Sequence, residues 1–230
     1  MADRWLILPS PFLGPTAYEL LAECLATQGD SAVVADLPPA PFMPDEVLAA
    51  FTEQSVAAGA TVLVPHSNAG LYTPSVRAAS PSVVAAVYVD AALPSPGALR
   101  TPLAPPIFAD DLAAMADEDG LLPPWTRWWE AVDVKPLFPS PEWLARVDRT
   151  APRLPAAFVR SFLAVPAGWT RSPSGYLAFG DTYAAELGTA RSAGWPIGVI
   201  AGHHLTLLSD PTSVAAHIRV LRAECTATRG

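Results

Sequence analysis

Three places in this 230-residue chain carry residue types that can do chemistry, and each sits where an apolar run stops. The first is Val62-Leu63-Val64-Pro65-His66-Ser67-Asn68-Ala69-Gly70, where the run breaks at a serine and small residues follow as a helix would begin. A sharp strand-to-helix turn of this kind lifts a hydroxyl above the C-terminal edge of a sheet, usually in the form G-x-S-x-G. Pro65 and Ala69 stand where that form has glycine. The plain alternative is an ordinary connection in which Ser67 or Asn68 caps the helix. The second place is Asp181, after Tyr176-Leu177-Ala178-Phe179-Gly180, and the third is Gly202-His203-His204, after the run 196–201. Asp90 closes a further apolar run, 82–89. A serine hydroxyl is a weak nucleophile until a base takes its proton and a further group orients that base.

The elements that must position these residues alternate regularly over the first ninety positions. Apolar runs closed by proline, glycine or aspartate predict strands over 5–8, 31–37, 61–64 and 82–89. Between them, helical spacing predicts helices over 16–28, stopped by Gly29, over 45–58, stopped by Gly59, and over 68–79, where Pro74 demands a kink or a delayed start. Strand-helix alternation points to a parallel sheet with right-handed crossovers. The pattern resumes late, with strands over 176–179 and 196–201, a helix over 182–193, and a final helix that Asp210 caps and Pro211 opens.

Between these halves, residues 93–169 are rich in proline and hold five of the seven tryptophans, at 125, 128, 129, 143 and 169. Short helices are expected over 110–117, 141–147 and 156–163. Aromatic side chains offer large apolar area with few rotatable bonds, which suits an insertion covering an apolar pocket walled by Trp125 and Trp128. A helical layer with tryptophan as core filler is the competing reading. The expected division is a core of 1–92 and 170–230 with a helical lid over 93–169.

Composition narrows the partners. Hydrophobic residues make up 51% and charged ones 16%, as a buried parallel sheet requires. A net charge of −8 leaves no excess of Lys and Arg for a phosphate backbone, so nucleic acid is not expected. No apolar run reaches the ~18 residues of a membrane span, and the N-terminus lacks the features of a signal peptide. A cytoplasmic protein, monomeric or homodimeric, is the expectation. Cys24 and Cys225 are far apart in sequence and suggest neither zinc nor a disulfide framework. No glycine-rich dinucleotide or phosphate loop follows a strand, and no metal-ligand spacing occurs, so no cofactor and no metal are expected.

Ser67, then an acid, then a histidine, each after a strand, is the chain order of a catalytic triad, and here the sequence resembles the α/β-hydrolase family over nearly its whole length. The segment Gly202-His203-His204-Leu205-Thr206-Leu207-Leu208-Ser209-Asp210-Pro211 looks like that family's catalytic histidine followed by a proline-started helix. The resemblance implies a mostly parallel twisted sheet with helices on both faces and an inserted helical lid. It implies Ser67 as nucleophile and His204, seven residues before Pro211, as base, with His203 the fallback. Asp181 sits where the family usually carries the acid, and Asp90 is the alternative. The oxyanion hole would take one backbone N–H from Asn68 and one from the loop Pro9-Ser10-Pro11-Phe12, where Pro11 has none to give and Phe12, then Leu13, is the choice. His66 is expected to wall the pocket, and His217 to be surface or core. The resemblance implies hydrolysis of an ester or thioester through an acyl-enzyme, and the lid tryptophans point to a small-molecule substrate with an apolar moiety. A lyase or cyclase, or a non-catalytic binding protein, are the other readings, because fold does not fix function.

Overall fold

The computed structural model describes residues 2–26 and 30–227. The first apolar run forms β1 (Arg4–Leu8), whose last four residues are buried. A 3₁₀ turn, Pro15–Tyr18, then leads into α1 (Glu19–Leu25), and the helix end expected at Gly29 lies outside the described residues. β2 (Ser31–Val34), α2 (Pro44–Ala57), β3 (Val62–Ser67), α3 (Thr73–Ala79) and β4 (Ala85–Ala91) follow. Pro74 falls in the first turn of α3, where its missing N–H has no intrahelical partner to lose. Asn68–Leu71 therefore form a separate 3₁₀ turn, and the α-helix starts late as the proline demanded.

The region after β4 opens with β5 (Arg100–Pro102) and α4 (Pro106–Ala114), then runs through α5 (Ala131–Val134), α6 (Pro141–Thr150) and α7 (Ala156–Val159) to β6 (Phe162–Ala164). α4 begins earlier than expected. The helix expected over 156–163 stops at Val159, because Phe162–Ala164 pair antiparallel with Arg100–Pro102 across some sixty residues of chain that local spacing does not connect. The tryptophans of this region divide between cavity wall and core filler. Trp169 packs edge-on against Trp195, which stacks on Tyr88 of β4, and so fills core. Trp143 is partly buried beneath the Arg146 guanidinium.

β7 (Ser174–Phe179), α8 (Ala184–Ser192), β8 (Ile197–Ile200), α9 (Thr206–Ser209) and α10 (Pro211–Ala227) complete the chain. Asp210 caps α10 by accepting the Ser213 N–H at 3.1 Å. The six strands of the main sheet run parallel in the order β2-β1-β3-β4-β7-β8. β3, β4 and β7 are buried at every residue, as continuous apolar strands covered on both faces must be, whereas the edges β2 and β8 are partly exposed. The chain steps outward from β1 to β2 and then back past β1 to β3. With right-handed crossovers that reversal puts α1 and α2 on opposite faces. α1 packs against α10, and α2 against α3. The reversal also opens a crevice beyond the C-terminal ends of β1 and β3, where open α/β sheets bind ligands.

Candidate active site

Ser67 ends β3 with φ 56° and ψ −132°, a conformation that costs a non-glycine residue on the order of 1–3 kcal/mol and persists only where its surroundings impose it. Two contacts impose it here. The Ser67 carbonyl accepts the Ala92 N–H at 3.0 Å, and the following turn lies so close to β4 that a Cβ on Gly70 would sit 2.1 Å from the Ala92 carbonyl oxygen. The glycine that the turn requires is thus Gly70, not position 65 or 69. Asn68 is held by its amide nitrogen, which donates to the Leu103 carbonyl at 2.6 Å.

Of the two candidate acids, the structure brings Asp90 to the histidine. His204 Nδ1 lies 2.7 Å from Asp90 Oδ2, and Asp90 Oδ1 accepts the Phe179 N–H at 2.9 Å. Asp181 is exposed on the rim of the cavity in front of Ser67. A register shift explains the choice: His66 pairs with Val89 but Ser67 pairs with Ala91, leaving Asp90 as an extra residue with φ 39°. Bulges re-aim side chains in this way next to active sites. The Tyr176 hydroxyl pins the bulge by donating to the Ala91 carbonyl at 2.7 Å and accepting the Ala91 N–H at 3.1 Å. Asp90 and Ser67 are, among the described residues, the two non-glycine positions with positive φ.

His204, rather than His203, faces the carboxylate. His203 is bound through its backbone, its N–H to Thr206 Oγ1 at 2.8 Å and its carbonyl from Thr206. Gly202 permits this loop, since a Cβ there would meet Thr206 Oγ1 at 2.2 Å. His217 donates to the Ser213 carbonyl within α10.

His66 does not wall the cavity. It is fully buried behind His204, with the two imidazoles stacked at 4.5 Å. Its Nδ1 is 2.8 Å from the Tyr18 hydroxyl and its Nε2 is 2.9 Å from the His204 carbonyl oxygen. A carbonyl can only accept, so Nε2 carries the proton and Nδ1 accepts from Tyr18, whose oxygen in turn accepts the Ser10 N–H at 2.9 Å. The network ties the loop after β1, the serine turn and the histidine loop into one unit. The alternation of residues in the sequence carries no signal for it, because Tyr18 reaches His66 across 48 positions.

Burial, and then the neighbouring His204, push the pKa of His66 well below its ordinary value, so the ring stays neutral in the fold. The unfolded chain takes up a proton at this histidine below about pH 6.5 and the folded chain does not. Stability must therefore fall as pH drops through that value, by up to about 1.4 kcal/mol per unit from this group. His66→Gln can keep both hydrogen bonds without titrating. Urea midpoints at pH 7 and 5.5 should show a smaller loss for the variant than for the wild type.

A cavity of about 910 Å³ opens in front of Ser67, lined by Phe12, Leu71, Phe108, Met115, Trp125, Trp128, Trp129, Phe179, Tyr183 and His204 among others. Trp125 and Trp128 both line it, and Trp128 packs edge-on against Phe12 at 4.9 Å. This wall is anchored through Asp148 of α6, which accepts from Thr126 and Arg127 and is held below the usual carboxylate range mainly by that guanidinium. The loop donors expected for an oxyanion are engaged locally: Phe12 N–H with Ser10 Oγ at 3.4 Å and Leu13 N–H with the Ser10 carbonyl at 3.0 Å. Tyr183, unremarked in the sequence although two residues from Asp181, places its hydroxyl 3.5 Å from Ser67 Oγ.

His66, Asp90 and His204 bring potential metal-ligand atoms within 4.8 Å of one another. Both His66 nitrogens and His204 Nδ1 are already engaged within the protein, so a cation would have to break the bonds that hold His204 in place. The arrangement suits proton transfer: a carboxylate fixes one imidazole nitrogen and leaves Nε2 for the cavity.

No family model matches the sequence, and no curated protein matches it. Solved structures do. An extracellular α/β-hydrolase from a Paenibacillus species, described as sharing structural and functional homology with tobacco salicylic acid binding protein 2, superposes with a TM-score of 0.75 at 15% identity, over 96% of this chain and 98% of the other. Tomato methylketone synthase I gives 0.74 at 14% identity, over 98% of both chains. A pyrethroid hydrolase gives 0.69 at 17% identity, over 99% of both. At such identities the likeness is one of fold, and the chain has the α/β-hydrolase fold.

Proposed function

We propose that this protein is a serine hydrolase acting on a neutral ester or thioester with a substantial apolar part, through an acyl-enzyme. The observation that carries the reading is His204, held by buried Asp90, in the same apolar cavity as a strained Ser67. Ser67 Oγ attacks the carbonyl carbon while its proton passes to His204 Nε2, and Asp90 steadies the resulting imidazolium. The developing oxyanion takes the N–H of Asn68 and, by displacing the long bond to Ser10, that of Phe12. His204 returns the proton to the leaving group, and water repeats the sequence on the acyl-enzyme. Residues 93–169 act as a lid in which Trp125, Trp128 and Trp129 exclude water. Among the described residues the cavity wall includes Asp111, Asp133, Asp181 and Glu186 and neither Lys nor Arg, which disfavours anionic substrates. The likeness to a methylesterase from Arabidopsis and to the pyrethroid hydrolase supports ester chemistry.

A second reading, a lyase or cyclase using His204 for proton transfer, is favoured by the engaged loop donors and by the hydrogen bond of Ser67 to Tyr183. The two are separated by intact-mass analysis after treatment with a fluorophosphonate. One adduct on the wild type, absent from Ser67→Ala and His204→Ala, is the expected result, together with turnover of neutral butyrate and hexanoate esters in preference to a hemisuccinate. A folded wild type that takes no adduct overturns the hydrolase reading.

A further inference from the structure

We propose that Tyr183 is a catalytic residue whose hydroxyl donates a hydrogen bond to the leaving oxygen as the ester bond breaks. The inference rests on the hydrolase reading of Ser67 and His204. Tyr183 lines the cavity, its oxygen is 3.5 Å from Ser67 Oγ, and its ring is 5.6 Å from that of His204. Sheet order decides which substrate atom it meets. Phe12 follows β1 and Asn68 follows β3, so the backbone donors lie on one side of Ser67, while Tyr183 follows β7 and His204 follows β8, across β4 on the other.

The carbonyl oxygen must turn toward the N–H donors and the leaving group toward His204, which has to protonate it. A phenol hydroxyl within one hydrogen bond of Oγ on the His204 side therefore meets the leaving oxygen, which in the tetrahedral intermediate is bonded to the same carbon as Oγ. As that carbon–oxygen bond breaks, its electron pair stays on the leaving oxygen and the proton comes from His204 Nε2. Tyr183 keeps its own proton and only donates. Burial, opposed by the bond to Ser67 and reinforced by Asp90 and Glu186, raises the phenol pKa far above the working range, so the donor is present throughout. The bulge at Asp90 makes this use of the loop available: with the imidazole oriented from β4, the turn at Gly180 (φ 63°) is free to carry a hydroxyl to the nucleophile.

A hydrogen bond to a developing alkoxide matters most where the leaving group is basic. In Tyr183→Phe, kcat/KM for an ethyl ester should fall roughly 10- to 100-fold, whereas that for the 4-nitrophenyl ester of the same acid should change less than about threefold. The melting temperature should stay within about 2 °C of the wild type. Equal losses on the two esters, or no loss on either, overturn the proposal, and so does a variant that melts far lower, which would mark the hydroxyl as structural. A wild type with no Ser67-dependent turnover brings down the hydrolase reading and this role with it; wild-type turnover with equal losses in the variant brings down the role of Tyr183 alone.

Discussion

Asp90→Asn will lower kcat about 10³- to 10⁴-fold, and Asp181→Asn will leave it within about threefold. Both oxygens of Asp90 accept hydrogen bonds, one from the Phe179 N–H and one from His204 Nδ1. An asparagine has a single acceptor oxygen to offer two donors. If it serves Phe179, its NH₂ group faces His204 and forces the imidazole proton onto Nε2, so the base can no longer take the serine proton. If it serves His204, its NH₂ opposes a buried backbone N–H, at a cost of about 1–3 kcal/mol for the unsatisfied group. The first outcome abolishes the base and the second destabilises the strand end that holds it. Asp181 faces solvent at the cavity rim, and losing its charge removes no such partner. Steady-state kinetics of the two variants on one ester, with melting temperatures recorded, decide between the carboxylates. A larger loss at position 181 would refute the assignment.

Gly70→Ala will destabilise the fold by at least about 3 kcal/mol, lowering the melting temperature by roughly 6–12 °C. The added methyl would lie 2.1 Å from a backbone oxygen and 3.1 Å from the Ala91 side chain, and neither neighbour is the end of a flexible chain. Relief requires the turn after Ser67 to part from β4. The carbonyl involved belongs to Ala92, whose N–H holds the Ser67 carbonyl, so the same movement undoes the serine conformation. Activity per folded molecule should therefore fall together with stability. Calorimetry and the rate of fluorophosphonate labelling test the two halves of this expectation, and a variant as stable and as reactive as the wild type would show that the turn is not under the constraint described.

How far the sequence could be read differs from residue to residue. The strand-helix alternation of the first ninety residues, the break at Pro74 and the cap at Asp210 are local features, and local sterics and hydrogen bonding settle them, whereas the choice of His204 by its spacing to Pro211 came from the family resemblance. The same locality marked Ser67, because an apolar run that ends on serine before small residues reports a turn whatever the rest of the chain does. It failed where partners come from afar. Phe162 and Leu163 read as helix because their strand partner lies some sixty residues away. His66 read as a pocket wall because its neighbours in sequence face the cavity, while Tyr18 and the His204 carbonyl, which bury it, are remote.

By itself, then, the sequence determined the order of the main sheet's strands and the helices between them outside residues 93–169, the place of the serine turn and the histidines after the last strand, since periodicity and turn chemistry act within a few residues. Only the tertiary structure decided which of Asp90 and Asp181 meets His204. Both follow apolar runs, and the local sequence does not show which of them meets the histidine. The choice turns on one residue of register between β3 and β4, which aims Asp90 at His204. Register is a property of two strands packed together, and so it is fixed only when the sheet forms.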